Sequence, residues 1–142
     1  MPTSTDTHLA ATLRIAVMRL ARRLRAERPE TDLTLSQLAA LASVDRHGPM
    51  TLGALAAHER VQPPSMTRIV GVLADRGLVT RVPHETDGRQ IVVALTDLGR
   101  DLLKEDRRRR EAWLAQRLRE LSPEERGVLH EAAPILEKLV SI

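Results

Sequence analysis

Apolar residues recur every three or four positions along most of this chain, a spacing that places them on one face of an α-helix. The first such stretch predicts a helix over residues 6–28, with a proline directly after it. A second helix is predicted after Thr34, because Thr34 and Gln37 have the spacing of a capping box. Gly48 and Pro49 are expected to end this second helix.

Two shorter helices are predicted next. Thr51 can cap a third helix, whose inner side carries Leu55. After a polar turn, two consecutive prolines open a fourth helix over residues 63–76, since proline is tolerated in a first turn. Gly77 then occupies the position of a left-handed C-terminal cap.

The spacing of apolar residues changes after this glycine. Residues 78–82 and 91–95 are short, largely apolar stretches rich in valine, which predicts two strands. The polar stretch between them, residues 83–90, contains Asp87 and Gly88, a pair typical of turns. The pattern therefore predicts a β-hairpin with a long loop.

Two helices are predicted to complete the chain. Thr96 opens a long one, and a second capping box at Ser122 and Glu125 opens the last. Pro134 lies inside the last helix and is expected to kink it.

The fold class is therefore predicted as mainly α with a small β-hairpin wing. We interpret residues 1–142 as a single domain. Within it, residues 33–97 are predicted to form a winged helix-turn-helix lobe, and residues 6–28 and 98–142 to form the flanking helices. In such a lobe one helix lies in the major groove of DNA and reads the edges of the bases.

Composition narrows the chemistry. Apolar residues make up 42% of the chain, yet Trp113 is the only aromatic residue, which argues against a platform that stacks single-stranded bases. There is no cysteine, so disulfides and thiolate catalysis are excluded. The five histidines are scattered, and no nucleophile is placed beside a base, so we predict no metal, no cofactor and no enzymatic activity.

Charge suits an anionic partner without proving one. The net charge is +3, and 20 of the 22 basic residues are arginine. Arginine makes bidentate contacts with phosphate and guanine, although a genomic preference for arginine codons explains the same bias. DNA binding must therefore be argued from the placement of individual residues.

The predicted fourth helix offers such a placement. Its outer face carries small and polar residues with one long cation, so it can enter a groove without steric clash. These residues are Pro64, Thr67, Arg68 and Gly71. Gly71 is compatible with a close approach of the backbone to DNA or with tight helix packing. Gln62 and Ser65 lie at the start of the helix, where the dipole and free N–H groups favour phosphate.

Several stretches of this sequence resemble the MarR family of regulators. They are Thr51–Ala56, Pro64–Val70, Leu73–Val79, Asp87–Arg89, and Leu95-Thr96 with Gly99. The turn with Asp87 and Arg89, then a strand, then Leu-Thr, is the most specific of these signatures. Gln62 departs from the family, which often has serine or another small capping residue there.

The resemblance implies roles for the wing. Arg89 would insert into the minor groove, Asp87 would orient it, and Arg81 would brace the wing by pairing with Asp87. A turn in which Asp87 and Arg89 merely form a salt bridge is the alternative. The DNA-binding residues predicted from the helix, the wing and the resemblance are Thr51, Gln62, Pro64, Ser65, Thr67, Arg68, Arg76, Asp87 and Arg89.

The family layout also implies a homodimer, because two copies can occupy half-sites about 34–36 Å apart. The predicted interface consists of Leu9, Leu13, Val17, Leu129, Leu136, Leu139 and Val140. The alternative is that these apolar residues are buried within a single chain and form no dimer interface. By the same resemblance, a small amphipathic or phenolic ligand would bind beside the first, second and fifth helices. Its predicted pocket is lined by Arg14, Met18, Leu38, His47 and Trp113.

The sequence thus predicts a homodimeric regulator of transcription that binds a pseudo-palindromic site on double-stranded DNA. A repressor whose DNA release is modulated by a small ligand is the favoured form. The alternative is a winged-helix module that contacts proteins and has no role on DNA. No apolar run is long enough for a membrane span and no signal-peptide pattern is present, so a cytoplasmic location is expected.

Overall fold

The computed structural model describes residues 1–27 and 33–141. Within this part of the chain there are six helices and three short strands. In chain order they are α1 (Ser4–Ala26), α2 (Leu35–His47), β1 (Met50–Thr51), α3 (Leu52–Glu59), α4 (Pro63–Asp75), β2 (Val79–Pro83), β3 (Ile91–Leu95), α5 (Asp97–Arg119) and α6 (Pro123–Val140). The predicted class, mainly α with a small hairpin, is confirmed.

The chain divides into two compact units. Met1–Arg28 and Arg108–Ile142 form one, which we name the helical unit, and Pro29–Arg107 forms the other, which we name the lobe. The lobe thus extends beyond the predicted residue 97 and includes the first half of α5.

The lobe is built around an aliphatic core. Every member of this core is a leucine, valine, alanine or methionine, as the near absence of aromatic residues requires. The core comprises Leu33, Leu38, Ala40, Leu41, Val44, Leu55, Ala56, Met66, Val70, Leu73, Leu78, Val79, Val93 and Leu103. Burial of apolar area at about 25 cal/mol per Å² makes this core the main source of the stability of the lobe.

A three-stranded antiparallel sheet lies in the lobe, with the strand order β1-β3-β2. The predicted hairpin is its β2–β3 pair, in which Arg81 lies opposite Val93. The additional strand, β1, has only two residues, and Met50 pairs with Val93. Sequence pattern missed β1 because a two-residue strand has no periodicity of its own and depends on its distant partner.

Helix capping explains most of the element boundaries. The capping boxes predicted at Thr34 and Ser122 are both formed. A third one, unpredicted, joins Thr3 and Asp6, so α1 begins at Ser4 rather than at residue 6. Hydrogen bonds from the Thr3 hydroxyl and then from its backbone N–H lower the pKa of the Asp6 carboxyl. The predicted end of α1 at residue 28 lies outside the described residues.

Three residues that follow helices have a positive φ, and the first is Gly48, the C-cap of α2, with a φ of 79°. Gly77 has a φ of 71° directly after α4, as predicted for a C-terminal cap. Arg60 has a φ of 54° at the end of α3, which the sequence did not signal, because a non-glycine residue there is uncommon.

The helical unit keeps much of its apolar surface exposed. Neither α1 nor α6 contains a buried residue within the described chain. Pro134 lies inside α6, which continues as one helix to Val140. Trp113 is half-buried on α5, and the guanidinium groups of Arg23 and Arg117 lie 5.2 and 5.5 Å from the centre of its ring. Both distances are within cation–π range.

Gly99, in the first turn of α5, lies closely against the backbone of Leu78. A Cβ at this position would overlap the carbonyl oxygen of Leu78 and lie 2.8 Å from the Leu95 Cδ1 atom. The contact with Leu78 is with rigid backbone, so it cannot be relieved by a side-chain rotation.

We therefore expect Gly99→Ala to lower the free energy of unfolding by about 1–3 kcal/mol or more, measured by urea denaturation. Gly127→Ala is the matched control, because it also adds a methyl group to a helical glycine, but with no atom within 4 Å. The control should raise stability by up to about 1 kcal/mol. Equal effects of the two substitutions would contradict this account of Gly99.

Candidate nucleic-acid interface

Helix α4 has one buried face and one exposed face. Met66, Val70 and Leu73 are at most 1% exposed and form an apolar stripe along the helix. Thr67 and Arg68 are exposed on the outer side of the helix. The outer edge of α4 is therefore available to a ligand, as the sequence predicted.

The start of α4 carries fewer hydrogen-bond donors than a typical helix N-terminus. Gln62 is the N-cap, and its side chain makes no capping hydrogen bond. Pro63 and Pro64 have no backbone N–H, and the Met66 N–H already donates to the Gln62 carbonyl oxygen at 3.0 Å. Among the described residues, this leaves the Ser65 amide as the donor of the first turn that could face a phosphate.

Two polar side chains of α4 lie along the helix itself. The Arg68 Nη2 atom donates to the Ser65 hydroxyl oxygen at 3.4 Å, so the guanidinium points back toward the start of the helix. The Thr67 hydroxyl donates to the Pro63 carbonyl oxygen at 3.0 Å. Both groups are exposed and can exchange these weak local bonds for a ligand.

Gly71 lies on α4 with room for a side chain. A Cβ there would meet the Arg81 Nη1 atom at 3.9 Å and nothing closer. This spacing is ordinary van der Waals contact, so tight packing within the described protein does not account for the glycine.

Other predicted DNA-binding residues have structural partners. The Thr51 hydroxyl caps α3 by accepting from the Ala54 N–H at 3.1 Å. Arg76 is exposed at the C-cap of α4. The DNA contacts predicted for these two residues stay predictions.

The wing tip is a compact hydrogen-bonded turn between β2 and β3. The Asp87 Oδ1 atom accepts from the backbone N–H of Arg89 at 3.1 Å, and the Asp87 carbonyl oxygen accepts from the Gln90 N–H at 3.0 Å. The His84 N–H donates to the Gln90 carbonyl oxygen at 2.8 Å and closes the hairpin. Arg89 itself is exposed at the tip of the wing.

The sequence missed a second element of this turn. The ring nitrogen Nδ1 of His84 accepts from the backbone N–H of Thr86 at 3.3 Å and from that of Asp87 at 3.2 Å. It also lies 3.2 Å from the Thr86 hydroxyl. Aspartate and asparagine are the usual side chains that organise turns in this way, so a histidine carried no signal.

The prediction that Arg81 pairs with Asp87 was wrong. Within the described residues, Arg81 does not pair with Asp87, whose Oδ1 atom instead accepts from the backbone of Arg89. Arg81 is exposed on β2, and its guanidinium lies over α4 at Gly71. The pairing implied by the family resemblance is not formed because β2 directs the Arg81 side chain toward α4 and not toward the turn.

The Leu-Thr signature has a clear structural basis. The Thr96 hydroxyl donates to the Gly77 carbonyl oxygen at 2.6 Å and accepts from the Gly99 N–H at 3.1 Å. The Thr96 N–H donates to the Leu78 carbonyl oxygen at 3.1 Å. One threonine therefore joins the end of α4, the end of β3 and the start of α5.

The five predicted ligand residues are divided between the two units. In the helical unit, Arg14 and Met18 are exposed on α1 and Trp113 is half-buried on α5. In the lobe, Leu38 is buried in the core, and His47 is exposed.

The helical unit also contains a cavity of about 340 Å³ that the sequence did not indicate. Three apolar and three charged side chains of α1 and α5 line it. Its lining residues are Ala21, Leu24, Arg25, Arg110, Glu111 and Leu114.

The lobe brings together some charged and titratable residues that are distant in sequence. The rings of His47 and His58 meet edge to face, with 4.5 Å between their centres. Arg107 forms an ion pair with Asp45, and the Ser43 hydroxyl donates to Glu59.

Residues 1–27 and 33–141 contain no group of three or more histidine, aspartate or glutamate side chains suited to a metal ion. In the same part of the chain, no helix is long and apolar enough to cross a membrane.

An exposed helix edge in a helix-turn-helix, beside a β-hairpin wing, defines the class of winged helix-turn-helix proteins, which bind duplex DNA. Residues 33–91 match the MarR family. The HTH-type transcriptional regulator MT0903.1 of Mycobacterium tuberculosis is 50% identical over 135 residues, which cover 95% of this chain and 94% of that protein. The chain belongs to the MarR family of transcriptional regulators.

Two further relatives agree with this assignment. A transcriptional regulator protein from Pseudomonas aeruginosa, solved by crystallography, is 35% identical, has a TM-score of 0.88 and covers 99% of both chains. The HTH-type transcriptional repressor MdtR of Bacillus subtilis is 33% identical over 107 residues, which cover 75% of this chain and 67% of MdtR.

Proposed function

We propose that this chain represses transcription as a homodimer on a pseudo-palindromic DNA site, and that a small amphipathic or phenolic ligand modulates its release. The observation that carries the DNA-binding part is the exposure of Thr67 and Arg68 on α4 together with Arg89 at the wing tip, all within one lobe. A slim polar helix edge fits the major groove, and an arginine on a hairpin loop fits the minor groove.

Local charges favour this proposal more than net charge does. The first turn of α4 retains one available backbone donor, at Ser65, so phosphate binding there depends on side chains such as Arg68. The exposed arginine at the tip of the wing adds a second positive contact. Repression would follow from occupying DNA that the polymerase needs, and the relative MdtR is named a repressor.

Arg89→Ala should weaken duplex binding by about tenfold or more, because each wing would lose its arginine contact. Each phosphate contact contributes about 0.9 to the slope of log affinity against log salt, so a dimer should lose about 2 from that slope. Fluorescence anisotropy on the operator, identified by selection from pooled duplexes, gives both quantities.

Arg126→Ala is the matched control, because it removes the same charge from an exposed position on α6. It should leave the salt slope within about 0.5 of the unmodified protein. An unchanged slope in Arg89→Ala would contradict the role of the wing. If no duplex shows salt-sensitive binding, the module that contacts only proteins becomes the better hypothesis.

The apolar faces of α1 and α6 support the homodimer. Large apolar residues on α6 stay exposed in the single chain, with Leu139 at 58% and Val140 at 83%. Leu9 and Val17 on α1 are also exposed. Such faces are costly in water unless a partner covers them, and two symmetric copies would cover them.

Leu139→Glu should convert the dimer into a monomer or raise its dissociation constant by about 100-fold or more, because an unpaired charge would be buried. Lys138→Glu is the matched control on the same turn of α6, where the residue is polar. Sedimentation velocity measures the oligomeric state. A Leu139→Glu protein that remains dimeric at micromolar concentration would remove this face from the interface.

The cavity in the helical unit supports ligand modulation. Its size of about 340 Å³ is within the range of small-molecule sites. Leu24 and Leu114 offer an apolar wall, and Arg25 offers a cation for an acidic group. A ligand that binds the two dimer conformations unequally would shift the population away from the one that fits DNA.

We expect 4-hydroxybenzoate, a phenolic acid, to weaken operator binding at millimolar concentration. Leu114→Trp should abolish this effect, because the larger side chain fills the cavity. Gln116→Trp adds the same ring at an exposed position of α5 and should leave the effect intact. Anisotropy titrations with and without the acid test this, and equal responses in both variants would place the ligand elsewhere.

A further inference from the structure

His84 lies at the base of the wing-tip turn, and its ring contacts the backbone of that turn. Two backbone N–H groups, of Thr86 and Asp87, point at the single ring nitrogen Nδ1, at 3.3 and 3.2 Å. His84 is half-buried, while the residues from 85 to 90 are exposed. The ring therefore organises the turn by accepting from two of its backbone N–H groups.

The two backbone donors fit the ring only in the form in which Nδ1 carries no proton. A nitrogen can accept from an N–H group only through a lone pair, so Nδ1 must carry no proton. The proton of the neutral ring must then lie on Nε2. An imidazolium carries protons on both nitrogens, and it would place a third N–H group against the two from the backbone.

A continuous set of hydrogen bonds links this ring nitrogen to Arg89. Nδ1 of His84 accepts a hydrogen bond from the Asp87 N–H, and the Asp87 Oδ1 atom accepts one from the Arg89 N–H at 3.1 Å. The Asp87 carbonyl oxygen also accepts a hydrogen bond from the Gln90 N–H at 3.0 Å. Loss of the first bond therefore removes one of the two backbone hydrogen bonds of Asp87, the residue whose carboxylate accepts from the Arg89 N–H.

We propose that His84 is a positioning residue for Arg89, and that protonation of its ring opens the wing-tip turn and weakens DNA binding. This proposal rests on the proposed DNA-binding role of Arg89. His84 does not itself touch DNA in this scheme. It makes the wing sensitive to pH through the backbone of the turn.

The charges around the ring do not restore the turn after protonation. The depression beside His84 is lined by Glu85 and Thr86 from the loop and by uncharged residues of the neighbouring strands and their ends, namely Pro49, Thr51, Val82, Pro83 and Val92. Asp87 and Arg89 are the other charged groups of the loop. The carboxylates of Glu85 and Asp87 attract an imidazolium, but neither one replaces the lost acceptor for the two backbone N–H groups.

The DNA-binding test compares three proteins at about pH 8 and about pH 5.5, on either side of the range in which histidines usually titrate. His84→Asn places an amide oxygen near the position of Nδ1 and does not titrate. At the higher pH, His84→Ala should bind the operator about five- to tenfold more weakly, and His84→Asn should bind within about threefold of the unmodified protein.

At the lower pH the unmodified protein should fall toward His84→Ala, while His84→Asn keeps its affinity. His130→Ala, which removes an exposed histidine of α6, should follow the unmodified protein at both values. In an Arg89→Ala background, His84→Ala should change affinity by less than about twofold, since the residue that it positions is gone. Additive losses in the double variant would overturn the positioning role.

A second measurement uses the free protein and needs no DNA. The ¹⁵N chemical shifts of the His84 ring should show Nδ1 without a proton at about pH 8. Relative to its intrinsic rate at the same pH, the Asp87 amide should exchange with solvent faster in His84→Ala than in the unmodified protein at about pH 8. On the same relative scale, the amide of the unmodified protein should exchange faster at about pH 5.5 than at about pH 8. A proton on Nδ1 at the higher pH, or equal exchange in the variant, would overturn the proposal.

The two measurements separate the two ideas. If no duplex binds at either pH, the proposed function fails, and the ring shifts and amide exchange alone decide whether His84 holds the turn. If the operator binds and His84→Ala binds it as well as the unmodified protein does, the proposed function stands and the role of His84 is overturned.

Discussion

Burial of one face of α4 is the constraint on which the functional surface depends. Met66, Val70 and Leu73 are packed in a core that contains no aromatic side chain. Aliphatic side chains fill space only by close interdigitation, so the rotation of α4 about its axis is restricted. Thr67 and Arg68 are thereby directed outward, although within residues 1–27 and 33–141 their side chains make only local hydrogen bonds along the helix.

Polar contacts add to the packing of Val79 and Val93 in attaching the wing to this core. Thr96 bonds to Gly77 and Gly99, and the missing side chain of Gly99 lets α5 approach the Leu78 carbonyl group. The start of α5 therefore meets the end of α4 at a fixed distance. These contacts also fix the base of the hairpin, because Thr96 directly follows the last residue of β3. Thr96 and Gly99, three residues apart, thus both contribute to the junction of α4, β3 and α5 in this lobe.

Sequence predicted the features whose partners are near in the chain. The boxes at Thr34 and Ser122 involve residues three apart, and the cap at Gly77 depends on one φ angle. Features with distant partners were missed or misassigned. Strand β1 exists only through β3, and Arg81 lies over α4 rather than beside Asp87. His84 is the exception, because its partners are two and three residues away, yet histidine is not among the residues expected to organise a turn.

The two proposed DNA-contacting elements differ in how firmly they are held. Helix α4 is held by several fully buried side chains, each worth about 1.5–3 kcal/mol. On β2 only Val79 is buried, and the turn from His84 to Gln90 depends on single hydrogen bonds of about 1 kcal/mol each. A small perturbation such as one proton is too weak to rotate α4, but it is comparable with the energy that orders the wing tip. Regulation that acts on the lobe itself is therefore expected to act on the placement of Arg89, while α4 keeps its orientation.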